Sequence, residues 1–513
     1  MSILSDRRRA GVLLHPTSLP GPGYRGDFGA DARRFIDVIA DAGIQIWQVL
    51  PLGPTHEDGC PYQSSSVHAG NPDLIDLQWL VEKGWLDAAQ ASAGLQSPVA
   101  KREALRQAGL AFFQQVELAE TSPMIAAYSQ FLEESQFWLE DYVRFQAFRD
   151  DQQHRPWSEW PAGLRNCEPQ ACDQHARELA ESISALRFRQ FVFHCQWHEL
   201  RRYANERGVL LFGDMPIYVH QESADVWAHQ SLFDLDDQGR PVTVTGVPPD
   251  YFSAEGQLWG NPQYNWQRMQ TQGFHWWLQR FSSAARQFDI VRIDHFRALE
   301  AYWEIPASAT SAKDGRWVPA PGRELLQKVR QANPELRLVA ENLGPISAEV
   351  EALRAEFDLP GMLILQFAFD GNPENPYLSH RHDPGDIVYT GTHDNDTSLG
   401  WFESLEEATR TRVYADFGNP EEEMPWMLIR QAMASRAMTA IVPWQDLLGL
   451  DGRHRMNTPG TMQGNWQWRF NWDQVRARME NCIHALLEEY DRLPPDTGKS
   501  SVCPDSPRAM KIS

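Results

Sequence analysis

The stretch FDIVRIDHFRALEAYWEIP, residues 288–306, decides the fold class. Its β-branched run at 290–293 is typical of a buried parallel strand, and the two-residue repeat of a strand puts Arg292 and Asp294 on one face. A guanidinium beside a buried carboxylate favours the ionised form of that carboxylate. The pair stands at the carboxyl end of the strand, where an α/β barrel carries its catalytic groups, although a purely structural ion pair would give the same pattern.

Two further apolar runs end in the same way. LRLVAENLG, residues 336–344, delivers Glu341 at its carboxyl end, and IVYTGTHDNDT, residues 387–397, delivers His393 and Asp394. The three carboxylates recur at a spacing of roughly 50 residues, about the length of one or two βα units in a barrel with insertions. This recurrence favours a catalytic rim over three independent ion pairs.

Eight strands are predicted in chain order, the number that a closed (β/α)8 TIM barrel of the α/β class requires. They are the central strand described above and Val12–His15, Ile44–Leu50, Val209–Val219, Arg337–Ala340, Met362–Phe367, Ile387–Thr390 and Ala440–Val442. The periodicity of DARRFIDVIADAG, Asp31 to Gly43, predicts the first helix.

A long helical insertion is predicted between the second and third strands. From Pro54 to about Gly208 the sequence has helical spacing over stretches such as EALRQAGLAFFQQVEL, and a segment of this length is too long for a plain loop. We therefore divide the chain into strands one and two (1–53), a mainly helical inserted part (54–208), the rest of the barrel (209–492) and a disordered tail (493–513). An aromatic loop is predicted at 246–266, and long loops should cover the cleft.

Composition excludes several classes of partner. The formal net charge of -22 disfavours nucleic acid and anionic membranes, whereas a neutral polymer such as a glucan carries no such penalty. The amino-terminal residues lack a signal peptide and no apolar run has the length of a membrane span, so a cytoplasmic protein is expected. The six cysteines are spread along the chain, as expected for free thiols.

A zinc site in the inserted part is an alternative interpretation of five residues. Cys167, Cys172, His194, Cys195 and His198 are suitable residue types, but their spacing contains neither CxxC nor HExxH. Helix packing is the better interpretation of these residues.

Several longer strings resemble one known family. HPTSLPGPGYRGDFG, GDMPIYV, GVPPDYFSAEGQLWGNPQYNW, RIDHFR, AENLGP, YTGTHDNDT and RMNTPGTMQGNWQWRF are similar to those of the 4-alpha-glucanotransferases called amylomaltases or disproportionating enzymes, glycoside hydrolase family 77 of the alpha-amylase clan. The resemblance runs from about Gly11 to about Trp472. It implies an enzyme that transfers segments of alpha-1,4-glucans.

The chemistry of acetal exchange assigns the three carboxylates. An oxocarbenium-like transition state needs one ionised carboxylate and one carboxylic acid on opposite sides of the bond. Asp294, beside Arg292, suits the nucleophile, and Glu341, with apolar neighbours, suits the acid/base because burial raises a carboxyl pKa. Asp394 is left to hydrogen-bond the ring hydroxyls of the distorted sugar. Neither a metal nor an organic cofactor is required.

The resemblance and the hydrogen-bonding chemistry also imply substrate-binding residues. These are Arg292, His295, His393, Asp214, Tyr62, Tyr251, Trp259 and Asn457. Of these, Tyr251 and Trp259 should face the acceptor sugars and Asn457 should shape the cleft rim. Asp214 has an alternative role, in which its carboxylate orients Arg292 instead of contacting sugar.

The expected partners are maltodextrins, glycogen or starch, together with glucose. Two other functions fit the same strand ends less well: an alpha-glucan hydrolase of the same clan and a glucan-binding protein on an inactive barrel. The sequence leaves chain-length preference and oligomeric state open.

Overall fold

The computed structural model describes residues 6–118, 123–249, 254–417, 423–461 and 463–495. Of the predicted disordered tail, only residues 493–495 lie within these ranges, so the tail and the division of the chain at residues 53, 208 and 492 stay predictions.

The described residues form twelve strands in two sheets. The strands are β1 (Arg9–Leu13), β2 (Ile46–Gln48), β3 (Leu210–Pro216), β4 (Thr243–Val247), β5 (Gln257–Pro262), β6 (Ile290–Asp294), β7 (Ala301–Pro306), β8 (Arg316–Pro319), β9 (Leu338–Ala340), β10 (Met362–Ile364), β11 (Ile387–Tyr389) and β12 (Thr439–Pro443). The larger sheet is parallel, in the order β10-β11-β12-β1-β2-β3-β6-β9. Its two outer strands approach each other, since Ala340 N–H donates to the Pro360 carbonyl at 2.9 Å. The sheet is a nearly closed (β/α)8 barrel, as predicted.

Each of the eight predicted strands is present. The largest difference lies at β1, which begins at Arg9 and not at Val12. Arg9 is buried and pairs with Thr439 of β12. A buried arginine gives no apolar signal in a sequence, so the strand start was placed too late.

Nineteen α-helices occur in the same ranges. They are α1 (Ala30–Asp41), α2 (Leu77–Glu82), α3 (Ala88–Gly94), α4 (Pro98–Leu118), α5 (Pro123–Ser135), α6 (Leu139–Asp151), α7 (Ala162–Arg165), α8 (Pro169–Glu178), α9 (Ala180–Glu206), α10 (Ala224–Ala228), α11 (Trp266–Thr271), α12 (His275–Gln287), α13 (Gly322–Ala332), α14 (Ala348–Glu356), α15 (Ser398–Ser404), α16 (Glu407–Phe417), α17 (Trp426–Ala434), α18 (Trp444–Leu447) and α19 (Ala477–Glu489). Helices α2 to α9 make the predicted insertion between β2 and β3. None of the helices described is long and apolar enough to cross a membrane.

The two faces of each barrel strand meet different surroundings. Ile290 lies in the barrel interior, whereas Val291 and Ile293 pack in the core that contains the surrounding helices. The two-residue repeat therefore turns Arg292 and Asp294 inward, on the same face as Ile290.

The second sheet is antiparallel, in the order β5-β4-β7-β8. It is built from segments that follow β3 and β6 in the chain. The predicted aromatic loop at 246–266 thus contains β5 and the end of β4, two elements that the sequence analysis missed because their glycines and prolines weaken the strand signal.

Candidate active site

Three carboxylates meet at the carboxyl rim of the barrel. Asp294 ends β6, Glu341 follows β9 directly, and Asp394 lies in the turn after β11. The Glu341 carboxylate accepts hydrogen bonds from the backbone N–H groups of His295, at 2.7 Å, and of Leu343, at 2.8 Å. The charges of Glu341 and Asp394 both raise the pKa of Asp294, so the three groups lie within electrostatic range of one another.

Arg292 connects Asp294 to a fourth carboxylate, that of Asp214. One guanidinium nitrogen donates to Asp214 Oδ2 at 2.6 Å, and the other lies 3.0 Å from Asp294 Oδ1. Asp214 Oδ2 also accepts from the Tyr62 hydroxyl at 2.6 Å. The Asp214 side chain is only 1% exposed, against 26% for Asp294. This geometry supports the alternative role of Asp214, which is to orient Arg292.

Burial dominates the protonation of the two central carboxyl groups. It raises the pKa of Asp294 to about 8, and the opposing effect of Arg292 is smaller. Burial also raises the pKa of Glu341, although Arg292 and the two backbone N–H donors each lower it. Arg292 lowers the pKa of Asp294, as expected, but burial raises it by more, because the guanidinium charge is shared with Asp214 and the site is desolvated.

The raised pKa predicts a stability effect of Asp294→Asn. Folding raises the pKa of Asp294 from about 4 to about 8, so wild type loses stability as the pH rises through this window, whereas the amide has no charge to bury. The variant should melt above wild type at about pH 9, by about 1 °C or more, and the difference should shrink towards about pH 5. Circular dichroism melts across this range measure it. A variant that melts lower at every pH would show that the Arg292 ion pair outweighs burial.

Asp394 lies on the rim after β11, two strands from β9 around the barrel. Its carboxylate accepts from the Asn457 side chain at 2.6 Å and lies 3.3 Å from His393 Nε2. Burial lowers the pKa of His393, so its imidazole is neutral at pH 7. Tyr62 stacks on this imidazole, with ring centroids 5.2 Å apart and planes 12° apart. The Asp394 side chain is 48% exposed and can therefore reach a ligand in the cleft.

Trp259 lies beside the residue that follows Asp294. Its ring meets that of His295 edge to face, with centroids 4.9 Å apart, and both rings are near Tyr218. His295 has a positive φ of 53°, an uncommon conformation that directs the chain out of β6. Tyr251, the other predicted acceptor contact, lies outside the described residues.

Two residues of the rim were missed by the sequence analysis. Arg455 donates to the backbone carbonyl of Asp394 at 2.9 Å, and the Trp466 ring lies 6.0 Å from that of Tyr62. Both belong to the string RMNTPGTMQGNWQWRF, and its resemblance to the family is the sequence signal that points to them.

The alternative zinc residues do not form a metal site. Within the described ranges no group of three or more His, Cys, Asp or Glu side chains is arranged to hold a metal ion. His194 and His198 pack ring against ring at 4.2 Å, and burial lowers the pKa of His194 to about 3.

A barrel whose rim carries the buried Arg292, three carboxylates and aromatic side chains around them defines a carbohydrate-active (β/α)8 enzyme. The family model described as 4-alpha-glucanotransferase matches residues 14–475. Curated 4-alpha-glucanotransferases from Thermus thermophilus and Synechocystis sp. are 45% and 42% identical over 501 residues, covering 95% of this chain and 99% and 98% of theirs. An amylomaltase from Streptococcus agalactiae, solved in complex with acarbose, superposes with a TM-score of 0.91 at 35% identity, covering 95% of this chain and all of that one. The chain belongs to the 4-alpha-glucanotransferase family.

Proposed function

We propose that this 4-alpha-glucanotransferase moves alpha-1,4-glucan segments to the 4-hydroxyl group of an acceptor glucan or glucose, with retention of configuration through a covalent intermediate on Asp294. The observation that carries the proposal is that Asp294 lies against Arg292, while the carboxylate of Glu341, directly after the neighbouring strand β9, accepts hydrogen bonds from two backbone N–H groups. Maltodextrins, glycogen and starch are substrates of this chemistry.

In the first step Glu341 gives its proton to the glycosidic oxygen and the Asp294 carboxylate attacks C1 of the donor sugar. The C1–O4 bond breaks, an ester bond between C1 and Asp294 forms, and the shortened glucan leaves with the proton. Approach of the developing positive charge at C1 favours the ionised form of Asp294, which counters the burial that raises its pKa.

In the second step Glu341 removes the proton from the acceptor 4-hydroxyl group, whose oxygen attacks C1 and displaces Asp294. Two inversions at C1 give net retention. Asp394, oriented by Asn457 and Arg455, accepts hydrogen bonds from the ring hydroxyls of the distorted sugar.

Incubation with maltotriose tests the proposal. A transferase yields glucose together with chains longer than maltotriose, a hydrolase yields only shorter products, and a glucan-binding protein leaves maltotriose unchanged. The expected product ladder, read by anion-exchange chromatography, contains maltopentaose. Its absence while glucose is released would reject transfer in favour of hydrolysis.

Trp259→Ala is expected to lower transfer more than hydrolysis. The ring lies against His295 next to the nucleophile, where it can stack on an acceptor sugar and keep water away from the intermediate, and its loss removes about 1 kcal/mol or more of stacking. The measurement is the ratio of elongated maltodextrins to new reducing ends. The matched control is Leu258→Ala, because Leu258 precedes Trp259 on β5 and its side chain, 47% exposed, projects from the opposite face. Equal losses of transfer and hydrolysis in Trp259→Ala would show that this ring binds the donor sugar or supports folding, and does not bind the acceptor.

A further inference from the structure

Arg280 is a buried cation that the proposed reaction does not use. It lies on α12, is 3% exposed, and its guanidinium lies over the rings of Trp276 and Trp277, 5.5 and 5.0 Å from their centroids. Its hydrogen bonds go to neutral groups, two backbone carbonyls and the Tyr264 hydroxyl. A buried charge that is held by neutral groups is costly, so its position calls for an explanation.

The two carbonyls belong to Pro216, the last residue of β3, and to Ile217, which follows it. In the register of β3 with β6, Asp214 lies opposite Arg292 and Pro216 lies opposite Asp294. Pro216 has no N–H group, so it cannot donate to the neighbouring strand. Arg280 donates to the carbonyl of Pro216 and, at 3.0 Å, to that of Ile217. The guanidinium therefore holds the strand end from the helix side, beside the nucleophile.

Arg280 also reaches the site through charge and through a shared cavity. Burial lowers the pKa of Arg280, and the charges of Tyr264, of Asp225 on α10 and, to a smaller extent, of Asp294 oppose this lowering, so Arg280 and Asp294 attract each other. Arg280, Asp214 and Tyr218 line a cavity of about 70 Å³. Within the part of the chain that the structure describes, Arg280 Nε, Asp214 Oδ1 and the Tyr218 hydroxyl are buried atoms without a hydrogen-bond partner. A polar cavity of this size has room for water that bridges such atoms.

We propose that Arg280 is a positioning residue for the transfer reaction: it fixes the end of β3 against β6, and thereby Asp214, Arg292 and Asp294, and its charge favours the ionised nucleophile. The inference rests on the proposed role of Asp294. The ionisable groups around Asp294 are Arg292 on its own strand, Asp214 on β3, Glu341 after β9, Asp394 after β11, Tyr62 after β2 and Arg280 on α12.

Arg280→Met and Arg280→Lys separate the two contributions. For maltotriose disproportionation, Arg280→Met should lower kcat about tenfold or more with a smaller change in KM, because a shifted nucleophile lowers the rate. It should also move the acidic limb of the kcat/KM profile to higher pH, because loss of a cation raises the pKa of Asp294. Arg280→Lys keeps the positive charge but loses the planar guanidinium that donates to two carbonyls at once. The value of kcat should therefore fall about threefold or more, while the acidic limb of the kcat/KM profile stays at the same pH. Arg286→Met removes a charge from the exposed side of the same helix and should change neither quantity.

Two results for Arg280→Met would overturn the inference. One is a kcat within about twofold of wild type, and the other is a lower kcat without a shift of the acidic limb of the kcat/KM profile. If circular dichroism shows that Arg280→Met is unfolded, Arg280→Lys decides: a lower kcat with an unmoved limb supports the inference, and an unchanged kcat overturns it. Asp294→Asn, measured alongside, tests the proposed function separately. Turnover by that variant rejects Asp294 as nucleophile, whereas an inactive Asp294→Asn beside a fully active Arg280→Met rejects only the role of Arg280.

Discussion

Asp294→Asn is expected to lower kcat for maltotriose disproportionation by about 10⁴-fold or more, because the amide keeps the shape of the carboxylate but cannot form the ester bond to C1. Arg292 remains held by Asp214, through the 2.6 Å hydrogen bond, so the rim should keep its geometry. Glucan affinity should therefore change by no more than about threefold, as measured by calorimetric titration with maltoheptaose.

The matched control for Asp294→Asn is Asp289→Asn. Asp289 immediately precedes β6 and pairs with Arg201 at 2.7 Å, at the end of the strand away from the rim. This variant removes a carboxylate from the same segment and should keep its turnover. Near-normal product formation by Asp294→Asn would reject Asp294 as the nucleophile, and loss of activity in both variants would indicate a general effect on β6.

Glu341→Gln is expected to lower kcat for maltotriose disproportionation by about 10³-fold or more, while Asp294 keeps its ability to attack C1. A fluoride leaving group needs little protonation, so maltotriosyl fluoride should still glycosylate Asp294. The missing base then slows transfer to an acceptor, and the ester should accumulate. Mass spectrometry of the intact protein should show one added maltotriosyl group, and peptide mapping should place it on the segment that contains Asp294.

The double variant Asp294→Asn, Glu341→Gln is the control for this trapping experiment, since it keeps the cleft but lacks the attacking oxygen. It should carry no adduct. An adduct on the double variant, or none on Glu341→Gln with an activated donor, would contradict the two assigned roles.

Much of the fold and the position of the rim could be predicted from local sequence. Buried parallel strands are short apolar runs, and a polar residue at their carboxyl end interrupts the pattern visibly, as Asp294, Glu341 and Asp394 do. β1 was misplaced at its start because Arg9 is buried, and β5 was missed because its glycine and proline resemble a loop. In both cases the tertiary environment of the residues determines that they form a strand, and their residue types alone do not indicate it.

Local sequence is enough to predict which side chains stand at the barrel rim, because the succession of strands along the chain and the two-residue repeat are visible in it. How those side chains share charge depends on contacts between distant segments. Arg292 and Asp294 are neighbours on β6, but Asp214 is 78 residues from Arg292 in sequence and contacts it only because β3 and β6 are adjacent strands. The rise of the Asp294 pKa to about 8 depends on the exclusion of water by the surrounding strands and helices. The hydrogen bonds from Arg280 to the end of β3 depend on the packing of α12 against the barrel. Burial and long-range contacts arise from many segments of the chain at once, so they cannot be read from a single stretch of sequence.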